Sequence, residues 1–380
     1  MENLLKAFHE ILRKNQREIE GYRFTVPSSK VYPFQWLWDS CFHSIIYLSL
    51  GEVERAKEEI ISILAGQWEN GMIPHMIYRG SFKKHRVKWN TTKNTSSITQ
   101  PPMIAYSVER IYRKTDDKNF MEKVFERLDK YYSWLRTARG DKYLLYIEHP
   151  WESGQDDLPV WDQVYRKEDP SSKTLRSYKI KILKGSFRFK VKSVLFNSVY
   201  LRNLRSMSFL ASAIGLSEKA LAYKQIYKLT EEEFRKDLLD TEMGVFFALH
   251  ENKHIKIKTA NIFLPLFAKM LKTEEAKQLI EKYLLNEDLF WTKYPVPTVS
   301  IDEHSFQPNR YWRGSTWINI NWFIYKGLKE YNFDDIAEEL RQRSFSLVSK
   351  SGFHEYYNSI NGMGRGPDDF VWSGLIFDMN

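Results

Sequence analysis

The chain reads as an all-α protein, an (α/α)6 toroid of six inner and six outer helices with a small β-hairpin and a strand-bearing insertion. Three observations lead there. Helical periodicities come in couples, one member of a couple is apolar while the other carries a charged face, and the loops richest in aromatic and acidic residues precede the apolar members.

The first helix has a stripe of Leu4, Leu5, Phe8, Ile11 and Leu12. Asp39 stands where it can cap a second helix running to about Leu50, where Gly51 breaks it; Val53, Ala56, Ile60, Ile63 and Leu64 mark the next. Further couples are Pro101–Lys114 with Asn119–Thr137, Val194–Ile214 with Ser217–Leu238, Thr259–Leu271 with Thr273–Leu285, and Trp317–Tyr331 with Asp334–Lys350. Phe370–Met379 pairs with the N-terminal helix and completes six. Trp317–Tyr331 has few charges, whereas Asp334–Lys350 is dense in Glu and Arg. A helix apolar all round is buried, and one with a charged face meets water. The segment Val245–Leu249, the polar Glu251–Lys253 and then Ile255–Lys258 predict a hairpin. The stretch at about 158–193 is too long for an ordinary connection, and its alternating Tyr178–Ile182 predicts a strand. No linker divides residues 1–380, which are read as one domain.

Of the residues, 43% are hydrophobic and 28% charged, ample for a core and ordinary for a soluble surface. The aromatic share is the unusual figure, 15% with 12 Trp, and several of these Trp fall in polar loops where packing alone does not explain them. The formal charge is +9, with a basic run from Lys173 to Lys192 that reads first as a solvated face. No nucleic-acid-binding motif accompanies it and the acidic loops oppose a polyanion, so no nucleic-acid partner is expected. Cys41 is the sole cysteine, which excludes intramolecular disulfides and suits a reducing compartment. The N-terminus lacks an apolar signal core and no apolar run reaches membrane-spanning length, so the expectation is a cytoplasmic protein without a membrane partner. The oligomeric state is not legible.

The chemistry sits before the inner helices. Residues 34–39, 99–102, 151–157, 311–317 and 355–369 each lead into one. Parallel inner helices bring such loops to one rim, so Asp156 and Glu355 can share a pocket. Two carboxyl groups flanking an aromatic-lined pocket are what cleavage of a glycosidic bond requires, and sugars stack their C–H faces on rings such as Trp151. Asp39 can cap its helix, bind a sugar hydroxyl, or both. Trp36 and Trp38 alternate, so one is expected to face the pocket and the other the core. Gln67 and Gln100 are candidates for sugar hydroxyls, with Gln100 favoured by the adjacent Pro101. His75 reads more readily as a packed histidine than as a ligand contact. Trp312, Tyr356 and Trp372 are further candidates for the wall, and Arg313 can either join an ion pair or clamp an anionic aglycone. No HxxxH or CxxC spacing occurs, so neither a metal nor another cofactor is expected.

The ordered motifs FQWLWDSCFH (34–43), QWENGMIPHM (67–76), TQPP (99–102), WESGQDD (151–157), YWRGSTW (311–317) and GFHEYY (352–357) resemble glycoside hydrolase family 63, most closely its mannosylglycerate/glucosylglycerate hydrolase group. That resemblance spans about residues 33–377. It implies an (α/α)6 enzyme cleaving α-glycosidic bonds with inversion, with Asp156 as general acid and Glu355 as general base. A neighbouring Asp157 and burial are expected to raise the pKa of Asp156, while Glu355 is expected to stay ionised. The implied substrate is a short α-glucoside or α-mannoside, a glycosylglycerate or a disaccharide. Departures from the family pattern lie at Gly154-Gln-Asp-Asp-Leu-Pro159, where Gly-Met-Asp-Asn-Ser-Pro is common, at Glu355-Tyr-Tyr-Asn-Ser359 and at Arg313-Gly-Ser315. A sugar epimerase of the same shape relies on paired histidines, which the carboxylate-rich rim does not offer. A carbohydrate-binding pseudoenzyme is disfavoured by the presence of both carboxyl groups.

Overall fold

Apolar helices joined by short turns to amphipathic ones form the frame. A computed structural model of the chain describes residues 2–80, 94–168 and 190–380. The helices are α1 (Glu2–Asn15), α2 (Leu37–Ser49), α3 (Val53–Leu64), α4 (Ile104–Thr115), α5 (Lys118–Arg139), α6 (Val160–Glu168), α7 (Val194–Ala213), α8 (Ser217–Leu238), α9 (Leu264–Ala268), α10 (Thr273–Leu279), α11 (Ile318–Glu330) and α12 (Asp334–Ser351). A 3-10 helix, Val371–Asp378, ends the fold.

The apolar members close a ring. Helix α2 packs on α4, α4 on α7, α7 on α9, α9 on α11, α11 on Val371–Asp378, and that last segment packs back on α2. Helices α3, α5, α8 and α12 lie outside their partners, and α1 backs the terminal segment. This is the (α/α)6 toroid. Twelve of the thirteen residues of α2 are buried, against six of twelve in α3, which is the expected difference between an inner and an outer helix. The rings of Phe42, Tyr106, Phe267, Trp322 and Phe323 pack edge to face or tilted on one another, so the ring is filled by aromatic side chains from four inner helices.

Two inner elements are shorter than their sequences predict. In place of a helix over Thr259–Leu271 there is a 3-10 turn, Ala260–Phe263, followed by α9. Pro265 has no N–H to bond back one turn, so regular helix starts only beside it, and Lys269 ends it in the left-handed region. The terminal segment is 3-10 rather than α-helical. The hairpin forms at Ala248–His250 with Lys253–Ile255, turning through Glu251 and Asn252 at positive φ. A third strand, Val191–Lys192, joins it. The strand expected at Tyr178–Ile182 and most of the basic run lie outside the described residues. Among the described residues, no helix is long and apolar enough to cross a membrane.

Away from the aromatic loops, one buried carboxylate ties four inner elements together. Asp378 accepts from Ser49 Oγ (2.6 Å), Arg110 (2.7 and 3.2 Å) and Trp322 Nε1 (2.8 Å), and pairs with Lys326 (2.9 Å). Burial opposes its charge, but Lys326 and Arg110 outweigh that and hold its pKa below the usual value. Replacing one partner of a buried ion pair leaves the others uncompensated. Asp378→Asn should therefore cost about 3–5 kcal/mol of stability, measured as the shift in a denaturant midpoint.

Candidate active site

Loops at the N-terminal ends of the inner elements enclose one cavity of about 350 Å3. Its described wall is Pro27, Tyr32, Trp36, Trp38, Asp39, His75, Gln100, Trp151, Gly154, Asp156, Tyr311, Glu355, Phe370 and Trp372. Asp156 and Glu355, far apart in sequence, thus face the same space. Trp36, Trp38, Asp39, His75, Gln100, Trp151 and Trp372 stand around them.

Four expected wall residues lie elsewhere. Gln67 donates to the carbonyls of Gly71 (2.9 Å) and Arg127 (2.8 Å), closing its own loop against α5. Trp312 is fully buried, stacked on Trp317 at 3.4 Å, and belongs to the core. Arg313 is spent in a bidentate pair with Asp162, 2.6 Å on each arm, with Asp157 at 3.5 Å. Tyr356 stacks on the far side of Trp317 and supports the wall from behind. Conversely, both Trp36 and Trp38 reach the cavity. Trp36 ends a short strand and Trp38 begins a helix, so the strict alternation that would separate them does not apply. Asp39 does not cap: Trp36 is the cap residue, and Asp39 sits one turn inside, buried and aimed at the site.

The loop before Asp156 is locally determined. Pro150 starts a 3-10 turn over Pro150–Ser153, and Trp151 N donates to His149 Nδ1 (3.0 Å). Gly154 then takes φ +72°, and any Cβ there would lie 2.4 Å from the Trp38 ring, so only glycine lets the loop rest on that indole. Beneath, Glu152 accepts from Arg139 (2.9 Å), Thr99 N (3.3 Å) and Glu148 N (2.6 Å). Asp157 is tied to Arg310 (3.0 and 3.3 Å) as well as lying near Arg313, so its charge beside Asp156 is largely compensated.

Glu355 stands on the first strand of a hairpin, His354–Tyr357 with Gly364–Asp368. Gly366, at φ +67°, covers it so closely that a Cβ would lie 2.6 Å from Glu355 Oε2. Trp372 Nε1 donates to the Glu355 carbonyl (3.0 Å) and Tyr311 Oη donates to Oε1 (2.9 Å), with Tyr32 Oη 3.4 Å from Tyr311 Oη. The outcome differs from the expectation of an ionised group. Burial pushes Glu355 up to about 8, against the smaller stabilising effects of Tyr311 and Tyr32, and the nearby Asp156 adds to the rise. Asp39 is likewise pushed well above the usual carboxylate range, by burial first and by Glu355 second. His75 is pushed down to about 3 by burial and is therefore neutral, with Nδ1 2.5 Å from Ser96 Oγ.

Tyr32, Tyr311, Pro27, Phe370 and Gly154 also line the cavity. Tyr311 opens the YWRGSTW motif, yet the eye goes to its Trp and Arg; a phenol beside a glutamate distant in sequence leaves no spacing signal. Among the described residues there is no group of His, Cys, Asp and Glu able to hold a metal ion.

Two carboxyl groups and a set of aromatic faces at the mouth of an (α/α)6 ring define a glycoside hydrolase. Residues 32–373 match the mannosylglycerate hydrolase MGH1-like glycoside hydrolase domain. The chain belongs to that family. It is 32% identical to a mannosylglycerate hydrolase of Thermus thermophilus over 97% of this chain and 98% of that one. It is 26% identical to a glucosylglycerate hydrolase of Mycolicibacterium hassiacum over 92% of each. A crystal structure of a family 63 mannosylglycerate hydrolase, also from Thermus thermophilus and in complex with Tris and D-glycerate, superposes with a TM-score of 0.86 at 29% identity, over 99% of this chain and 100% of that one.

A carboxyl group whose folded pKa is raised from 4.5 to about 8 binds its proton more tightly in the folded state than in the unfolded one. Its contribution to stability is complete below about 4.5 and is lost as pH rises to about 8. Glu355→Gln, which carries no charge, should therefore be more stable than the parent, with a gap widening from pH 5 to pH 8 to about 2–4 kcal/mol. Thermal midpoints across that range test it; a gap independent of pH would contradict the burial of an ionisable group.

Proposed function

We propose that the protein hydrolyses the α-glycosidic bond of a small glycosylglycerate with inversion, mannosylglycerate first and glucosylglycerate second. The observation that carries this is the shared cavity of Asp156 and Glu355. The order of substrates follows the relatives, which are mannosylglycerate hydrolases at up to 32% identity and a glucosylglycerate hydrolase at 26%.

In this reading Asp156 gives its proton to the departing glycosidic oxygen. Glu355 takes a proton from a water that attacks the anomeric carbon on the opposite face, and the product sugar leaves with inverted configuration. Trp36, Trp38, Trp151 and Trp372 present aromatic faces to the apolar side of the sugar. Asp39 and Gln100 offer hydrogen bonds to its hydroxyls, and neutral His75 adds a ring. A base works best with a pKa near the working pH, and burial brings Glu355 into that range at the cost of a smaller ionised fraction below it.

Proton NMR of fresh hydrolysate should show the β-anomer first; an α-anomer would remove the mechanism. Asp156→Asn and Glu355→Gln should each lower kcat by about 10²–10⁴-fold with small changes in substrate binding. On the acid side, kcat/KM should rise with pH until about 8, where Glu355 loses its proton. Tyr311→Phe removes a donor that favours the ionised carboxylate, so the rise should move about one pH unit further into the alkaline range. An unmoved profile in that variant would mean that Glu355 is not the titrating base.

A further inference from the structure

The residue just before Asp156 is gripped from a neighbouring inner element. Asn261 lies in the Ala260–Phe263 turn and its Nδ2 donates to Gln155 Oε1 at 2.8 Å. The Gln155 backbone is held as well: its N–H donates to Ser153 Oγ (2.9 Å) and its carbonyl accepts from Trp161 Nε1 (2.8 Å) and Leu158 N (3.2 Å). Gln155 is 1% exposed and Asn261 7%. Side chains so buried carry a desolvation cost, which packing alone would avoid with an apolar pair.

Two further atoms of the pair show what the grip is built around. Gln155 Nε2, a donor, and Asn261 Oδ1, an acceptor, are buried with no partner among the described residues. Both residues line one small cavity of about 20 Å3, with Ser153, Ser193 and Thr259 on its wall. That is room for a single water molecule.

We propose that Gln155, Asn261 and this one-water cavity form a positioning bracket for Asp156, fixing the carboxyl group where it can protonate the leaving oxygen. The proposal rests on the reading of Asp156 as the acid. It assigns a reason for a polar residue at Gln155: the loop is tied to the neighbouring inner element that carries Asn261, instead of being packed. Gly154 against Trp38 fixes the loop on one side, and the bracket fixes it on the other. An ångström of misplacement at the reacting centre costs up to about 10²-fold in rate.

The test uses the full-length protein and two substrates that differ in their need for an acid. The glycerate of mannosylglycerate departs as an alkoxide unless protonated, whereas α-mannosyl fluoride releases fluoride without a proton donor. Gln155→Met and Asn261→Leu should lower kcat on mannosylglycerate by about 10–100-fold with KM little changed, and should lower fluoride release several times less. Equal losses on both substrates, or no loss on either, would overturn the bracket, the first by showing a general structural role. Asp156→Asn separates the two claims. If it loses mannosylglycerate turnover and keeps fluoride release, Asp156 is the acid and the bracket stands or falls on its own variants. If Asp156→Asn affects both substrates alike, the acid assignment fails, and the bracket with it. Circular dichroism and thermal midpoints of each variant establish that it is folded, and Gln155→Met, which preserves volume, guards against collapse at the other position.

Discussion

Everything at the site depends on closure of the inner ring, and closure has an electrostatic fastening at Asp378. Six inner elements meet their neighbours in a cycle whose last member is a short 3-10 segment, weaker in its own hydrogen bonding than an α-helix. Its final turn is pinned by a carboxylate that α2, α4 and α11 all reach: Ser49 from the first, Arg110 from the second, Trp322 and Lys326 from the third. The same segment begins with the strand-to-helix corner that carries Trp372, whose indole holds the Glu355 backbone. A fault at the lower end of the terminal segment would therefore be felt at Glu355 on the upper end.

Ring closure also gathers ionisable groups at two mouths. The residues preceding the inner elements form one mouth and those ending them form the other. Around the first stand Asp39, Asp156 and Glu355; around the second stand Arg110, Arg202, Lys326 and Lys329 with Asp378, Glu109 and Glu330. Helix N-termini carry partial positive charge, so the carboxyl groups of the first mouth face helix ends of opposite sign, whereas the second mouth holds both signs as ion pairs. Tyr106, Phe267 and Trp322 fill the space between. At the upper mouth the helix ends do not suffice to keep Glu355 and Asp39 at ordinary values, because burial dominates both. A site that strips water from Glu355 accepts a carboxyl group that is costly to ionise, and the ring supplies the rigidity to hold it there.

The ring and most of the cavity wall were legible in the sequence because they rest on periodicity and on position before an apolar helix. Those rules place Asp156, Glu355, Trp36, Trp38, Asp39, Gln100 and Trp151, and all seven line the cavity; Trp372, inside the last inner element, lines it too, as does His75, which the sequence favoured as a packed residue. They fail where a motif holds several chemically eligible residues and only backbone direction decides among them. In YWRGSTW the sequence favours Trp312 and Arg313, but the turn sends Trp312 into the core and Arg313 to Asp162, leaving Tyr311 at the site. Gln67 sits in as suggestive a motif, yet that loop carries it to α5. The protonation of Glu355 was illegible for another reason. Desolvation depends on what covers a group, and Gly366, eleven residues on, covers it only because the hairpin folds back.

These features bear on how a pocket with three carboxyl groups can admit an acidic substrate. The fourteen described wall residues include no lysine or arginine, and Arg313, the obvious clamp, is already paired. Three full negative charges would repel a glycerate group. With Glu355 pushed up to about 8, near neutral pH it is largely uncharged and donates as well as accepts, and burial pushes Asp39 in the same direction. The burial that makes Glu355 a stronger base thus also lowers the repulsion an anionic aglycone would meet on entry. The two demands oppose each other as pH rises: if Glu355 is the base proposed above, its ionisation favours attack by water and disfavours an anionic substrate. A neutral glycoside would meet only the first of these effects, so comparison of pH profiles for neutral and acidic aglycones separates ionisation of Glu355 from charge repulsion in the pocket.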